Sequence, residues 1–215
     1  MIRDLLESEI FKKMEQEYKF LSHAREQMYR LECDDFVILD TETTGLDPVN
    51  CEIIEIAALK VHNREIHDIF NQLIKPKHPI PEGITRITGI SNEMVEEAPS
   101  LSEVAYNFLK FIEGSTLVIH NAEFDISFIN QHIFIPRKKE IGNPVICTLK
   151  VSRLLLPQLQ SHKLGSLAQH FGVPANNSHR ALGDVETTNE IWSRFAPMLR
   201  EKGITTREDL LKAIG

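Results

Sequence analysis

Phe36-Val37-Ile38-Leu39-Asp40-Thr41-Glu42-Thr43-Thr44-Gly45-Leu46 is the stretch that decides how this chain is read. Its first four residues form an apolar run of the composition found in buried strands. On a strand, residues two apart share a face, so Asp40 and Glu42 project side by side. Two carboxylates held that close repel each other unless a positive charge sits between them. Hard oxygen donors at such a spacing suit Mg²⁺ or Mn²⁺. The Thr-Thr-Gly that follows turns the chain and leaves backbone open to a ligand. A strand end with two solvated acids gives the same pattern, so the rest of the chain has to decide.

Two further acids stand in matching contexts. Leu117-Val118-Ile119 reads as a second buried strand and leads into His120-Asn121-Ala122-Glu123-Phe124-Asp125. Phe124, Phe128 and Ile129 recur at helical spacing, which puts Asp125 in the first turn of a helix just past that strand. Near the end of the chain, Ser178-His179-Arg180-Ala181-Leu182-Gly183-Asp184 precedes Val185, Thr188, Ile191, Trp192 and Phe195 at helical period. Ser178 is a fitting N-cap there, with His179 at the helix entrance and Asp184 inside it.

This ordered set resembles the DEDDh 3′→5′ exonucleases, in particular the epsilon-type proofreading exonucleases of bacterial DNA polymerase III. The resemblance runs from about Phe36 to Phe195. It includes Ile87-Thr88-Gly89-Ile90 and Lys163-Leu164-Gly165-Ser166-Leu167-Ala168 as well as the acidic motifs. It implies an α/β, ribonuclease-H-like fold with a mixed central sheet flanked by helices. It also implies a two-metal phosphodiester hydrolase using two Mg²⁺ or Mn²⁺ ions, about 3.5–4 Å apart in such sites. Asp40 would be shared between the ions, Glu42 and Asp184 would complete the water-activating site, and Asp125 would hold the second ion. His179 would take the water's proton, as an imidazole titrating near neutral pH can. In a related subgroup a Tyr stands at that position. Further by resemblance, Thr43, Thr44 and Gly45 meet the 3′ end and Leu46 wedges beneath the last base. Phe124 offers a ring to sugar or base. Thr88 occupies the place of a His in epsilon-type enzymes. Leu46 and Phe124 as ordinary core residues is the alternative.

Composition narrows the setting. A chain of 215 residues suffices for one sizeable core. No apolar run approaches a membrane span, and the charged N-terminus has neither a secretory signal nor an anchor. Cys33, Cys51 and Cys147 have no metal-type pairing, which suits a reducing cytosol and a cytoplasmic protein. The net charge of −7 excludes a broad basic nucleic-acid face and favours a small end-binding cleft, since divalent ions would offset four of the acids. Candidate rims are Lys75, Lys77 and Arg86, then Arg137-Lys138-Lys139, then Lys163 and Arg180. The remaining histidines, His62, His67, His78, His132, His162 and His170, have no ligand-like spacing and read as surface or locally bonded. His120 reads as a support for the backbone of its motif.

Along the chain, Ile53 to Val61 and Ile66 to Ile74 read as two strands joined by a polar turn, and Ser100 as the cap of a helix. A short strand at Val145-Ile146-Cys147 and helices over 149–156 and 164–171 follow. The division expected is an N-terminal helical extension over 1–33, an exonuclease domain over 34–199 and a short C-terminal helix over 200–215. Phe11, Met14, Tyr18, Leu21 and Met28 predict an amphipathic helix that packs on the body, binds a polymerase subunit or self-associates. No long C-terminal docking tail is apparent, which points to a stand-alone exonuclease or to a proofreader docking by its N-terminal helix. The substrate expected is the 3′ end of DNA, single-stranded or frayed, cut to nucleoside 5′-monophosphates in proofreading or repair. An RNA-trimming exonuclease and a non-catalytic accessory module are the rival readings.

Overall fold

The computed structural model describes residues 36–174 and 179–215. The helix expected near the N-terminus and the Ser178 cap lie outside the described residues. Five strands form one sheet in the order β3-β2-β1-β4-β5. They are β1 (Phe36–Thr43), β2 (Ile53–His62), β3 (Glu65–Leu73), β4 (Thr116–Ile119) and β5 (Val145–Cys147). β1 to β3 are antiparallel, whereas β4 runs parallel to β1 and β5 parallel to β4. The β2–β3 turn is Asn63-Arg64, both with positive φ (48° and 69°). That is the primed geometry whose twist matches the strands it joins.

β1 is flanked on both sides, so its apolar residues are buried on both faces. Phe36 and Ile38 share one face with Ala57, Leu59, Val118 and Ile146. Helices α5 (Thr148–Leu155), α6 (Leu164–Phe171), α7 (Ala181–Glu201) and α8 (Arg207–Ile214) cover it. Val37 and Leu39 share the other face, covered by α3 (Leu101–Ile112) and α4 (Ala122–Ile129). Between β3 and α3 lie the short helices α1 (Glu82–Thr88) and α2 (Asn92–Val95). Ser100 forms a full capping box with Glu103 at the start of α3, as its position in the sequence predicts.

The boundary expected at 199/200 falls inside α7. Leu210 of α8 is fully buried in the same core as Phe36 and Trp192. Residues 200–215 therefore belong to the body of the domain and are not a separate unit. No helix among the described residues is long and apolar enough to cross a membrane.

Candidate active site

The site forms where β1 outruns its parallel neighbour. β4 pairs with β1 only as far as Leu39↔Ile119. Asp40 to Thr43 continue alone on that side while still paired to β2 on the other. The carboxyl end of parallel strands, where neighbouring connections diverge, is the open crevice of an α/β sheet. Asp40 and Glu42 follow Ile38 on the α7 face. Asp184, in the first turn of α7, meets them there. Carboxylate oxygens of these three acids lie within 4.8 Å of one another.

Asp125 approaches from the other side of the pleat. It sits in the first turn of α4. Its Oδ1 accepts from the Thr41 N–H at 2.9 Å and from Thr41 Oγ1 at 2.7 Å. Thr41 is the residue between the two strand acids, so alternation along β1 sends it to the α4 face. Asp125 is 3% exposed, and its charge is felt strongly at Asp40.

The electrostatics are those of a site waiting for positive charge. Burial, followed by repulsion from Asp125, Glu42 and Asp184, raises Asp40 well above the ordinary carboxylate range. Burial and the Asp184 charge push Glu42 to about 8. Burial lifts Asp125 to about 7 against the two Thr41 hydrogen bonds. Asp184 is raised by burial and eased by a hydrogen bond from the His179 backbone N–H. Burial disfavours the charged form of all four acids, repulsion adds to it at Asp40 and Glu42, and a divalent cation among them would relieve both. The donor set, all carboxylate oxygen, fits Mg²⁺ or Mn²⁺.

His179 stands at the entrance of α7, further out than a Ser178 cap implies. The N-cap position belongs to Arg180, and His179 precedes it in the left-handed region with φ of 67°. The backbone there is held by a residue that sequence reasoning missed. Glu55 of β2 is fully buried and directly opposite Glu42. Arg180 grips it with two hydrogen bonds, Nε to Oε2 at 3.1 Å and Nη2 to Oε1 at 2.6 Å. The Ala181 N–H adds a third to Oε2 at 3.0 Å. Arg180 is therefore committed to this pair and not to a phosphate rim.

The expected substrate contacts divide. Thr43 Oγ1 donates to the Gly45 carbonyl at 2.6 Å. The Thr44 N–H donates to the Glu52 carbonyl, and Thr44 Oγ1 accepts from the Glu52 N–H. These groups, expected at the 3′ end, close the base of their own loop. Gly45 is a glycine for a packing reason: a Cβ there would lie 2.6 Å from Cys51 Sγ. Thr88 is 4% exposed, donates to the Ile84 carbonyl and accepts from the Ile90 N–H, so its hydroxyl finishes α1. Leu46 is 84% exposed, which removes its core reading. Phe124 is half-buried, with its ring 5.0 Å from that of Phe128.

Three histidines read as supports or as locally bonded make such bonds. His120 Nδ1 meets Thr148 Oγ1 at 3.0 Å, and burial depresses its pKa to about 4, as befits a neutral support for its motif. His162 Nδ1 meets Ser152 Oγ at 3.0 Å. His132 Nε2 bonds the Cys51 carbonyl at 2.8 Å.

Mixed sheet and acid cluster together define a nuclease of the ribonuclease-H-like class. The chain belongs to the exonuclease family, whose model (RNase_T, Exonuclease) matches residues 37–192. It is 42% identical over 180 residues to a DNA polymerase III PolC-type of Caldanaerobacter subterraneus subsp. tengcongensis, covering 82% of this chain and 12% of that relative. It is 39% identical over 176 residues to a DNA polymerase III subunit epsilon-like protein of Rhodobacter capsulatus, covering 80% of this chain and 25% of that one. The chain thus spans no more than a quarter of either curated relative. Among solved structures, exonuclease X in complex with 5′ overhanging duplex DNA superposes with a TM-score of 0.63 at 26% identity, covering 84% of this chain and 99% of that one. Escherichia coli exonuclease I with a dT13 oligonucleotide gives a TM-score of 0.70 at 19% identity over 79% of this chain and 42% of that one, a likeness of fold.

Proposed function

We propose that this chain hydrolyses phosphodiester bonds from the 3′ end of DNA, releasing nucleoside 5′-monophosphates, in proofreading or repair. The observation that carries the reading is the acid trio Asp40, Glu42 and Asp184, within 4.8 Å, with Asp125 buried beside it. Asp40, Glu42 and Asp184 would hold one Mg²⁺ or Mn²⁺, and Asp125 with Asp40 a second. What such a pair supplies is activation of water and stabilisation of the leaving 3′ oxygen. The chain's own residues do the rest. Exposed His179 receives the proton of the attacking water at its imidazole, and the Glu55–Arg180 pair anchors the backbone that presents it. Asp184 accepts the His179 N–H, which couples the proton acceptor to the acid cluster. Exposed Leu46 lies beneath the terminal base, and Phe124 presents its ring to the sugar.

Residues 1–33 are assigned to docking, on a polymerase subunit or a second copy, in the cytoplasm. The relatives' names support the first of these partners. The test is cleavage of matched 5′-labelled DNA and RNA oligonucleotides with Mg²⁺, Mn²⁺ or chelator. DNA shortening from its 3′ end, abolished by chelator, is the expected result. Preferential shortening of RNA moves the enzyme to RNA trimming. A folded chain that binds metal and cuts neither is an accessory module.

A further inference from the structure

The loop over residues 44–52 has two sides. One borders the acid cluster. The other forms a wall of a separate open cleft of about 680 Å³. Two of the basic rims read separately in the sequence face each other across this cleft. Lys75 and Lys77 line one wall, on the segment leaving β3, and Arg137 lines the other, on the turn after α4. His132, on the segment leading to Arg137, ties that wall to the loop through its bond to the Cys51 carbonyl.

These cations are positioned without being neutralised. Lys75 Nζ donates to the Glu96 carbonyl at 2.6 Å, and Arg137 Nη1 to the Ile133 carbonyl at 2.7 Å. Among the described residues, neither they nor Lys77 forms an ion pair. The acid lining the cleft, Glu52, is engaged by the Lys77-His78 segment, and the three cations remain in excess. It accepts from the Lys77 N–H at 2.8 Å, the His78 N–H at 3.1 Å and the His78 ring at 2.9 Å. Asp47, on the shared loop, is exposed and accepts from the Val49 N–H at 3.0 Å. A chain of net charge −7 thus concentrates unpaired positive charge on two facing walls. Such walls focus a field on a flexible anion rather than on a flat surface.

The cleft shares an edge of the sheet with the acid cluster. Ile53, on its lining, pairs directly with Thr43, the residue after Glu42. Ile53 packs with Val37 and Leu39, so the cleft opens at the same edge of the sheet as the acid cluster but on the α4 face, with the loop over 44–52 between them. We propose that this cleft holds the phosphodiester backbone of the nucleic acid whose 3′ end occupies the acid cluster. The inference rests on the exonuclease reading and adds a second, non-cleaving contact to it. The cations touch phosphate and not base edges, so the contact adds affinity without sequence preference. The backbone comes either from the cleaved strand upstream of its end or from a complementary strand.

The test separates the cleft from the acid cluster. Binding is measured by anisotropy in chelator, where no cleavage occurs, on a single-stranded oligonucleotide and on a duplex of equal length, across a salt series. Lys77→Glu/Arg137→Gln is expected to weaken binding at least about tenfold. It should also flatten the dependence of log Kd on log salt by about 1.4 on the single strand and about 1.8 on the duplex, the sum for two lost phosphate contacts. Turnover of a nitrophenyl ester of thymidine 5′-monophosphate with Mn²⁺, which reaches only the acid cluster, should stay within about twofold. Loss on the single strand assigns the cleft to the cleaved strand, and loss confined to the duplex assigns it to the complement. Unchanged affinity and salt slope overturn the proposal, and so does an equal loss on the ester. A wild-type chain that binds through these residues but cuts neither substrate would sink the exonuclease reading and leave the cleft standing.

Discussion

Gly45 shows how a residue that sequence reading gives to the substrate can belong to the scaffold. Its missing Cβ makes room for Cys51 Sγ, and that packing sets the loop bearing Leu46. Gly45→Ala should lose about 1–3 kcal/mol in chemical denaturation, the usual cost of overpacking. Adding Cys51→Ala should restore most of it, and a double-mutant cycle with no coupling would refute the contact. His179→Ala belongs to the opposite kind of residue. It should slow cleavage by roughly 10²–10⁴-fold, the range for a positioned proton acceptor, with metal binding intact by calorimetry. Turnover like the wild type would remove His179 from the chemistry. The four acids and His179 were legible because each sits where a periodic apolar run begins or ends. Glu55 was not, because Ile53-Ile54 and Ile56-Ala57-Ala58-Leu59 around it read as a plain buried strand. Its one signal was being an acid in such a run, where burial demands a partner. That partner lies 125 residues away. Thr41, between two motif acids, was hidden for a similar reason: its role appears only when α4 is laid on the sheet.

Among the elements, β1 carries the strain of the site. It places Asp40 and Glu42 against α7 and Thr41 against α4, so the acids of three elements converge on one strand. In the folded, metal-free chain Glu42 titrates near 8 and Asp125 near 7. Unfolded, both would titrate near 4. The folded state therefore holds protons that the unfolded chain has released. The stability this brings is fully present below about pH 4 and is lost as pH rises through the folded values, between about 4 and 8. Melting temperatures in chelator should fall more steeply from about pH 5 to 8 in the wild type than in Asp40→Asn/Glu42→Gln. Parallel profiles would show that the acids are not strained. The strand and helix order was legible from period and punctuation. The start of α7 was not, because a capping residue was sought in Ser178 when Arg180 holds that position through an ion pair to a distant strand.

Across the described residues, the sheet separates the two largest core clusters, and the acid cluster opens at the end of β1, where elements from both sides meet. A ligand that binds only this assembled state stabilises all of it. At one hundred times its Kd, Mn²⁺ should add about 2.7 kcal/mol. For a domain of this size that raises the melting temperature by about 5–10 °C. Asp40→Ala should abolish the increment, and an undiminished shift in that variant would place the metal elsewhere. The separation of the acids along the chain has a further consequence for the life of the protein. Asp40 and Glu42 leave the ribosome first, Asp125 later and Asp184 last, with the Arg180–Glu55 clasp bridging the same long interval. Contacts of such sequence separation form late in folding. A nascent chain that stops short of α7 therefore cannot assemble the centre, and destructive chemistry is withheld until synthesis has passed the last helix of the site.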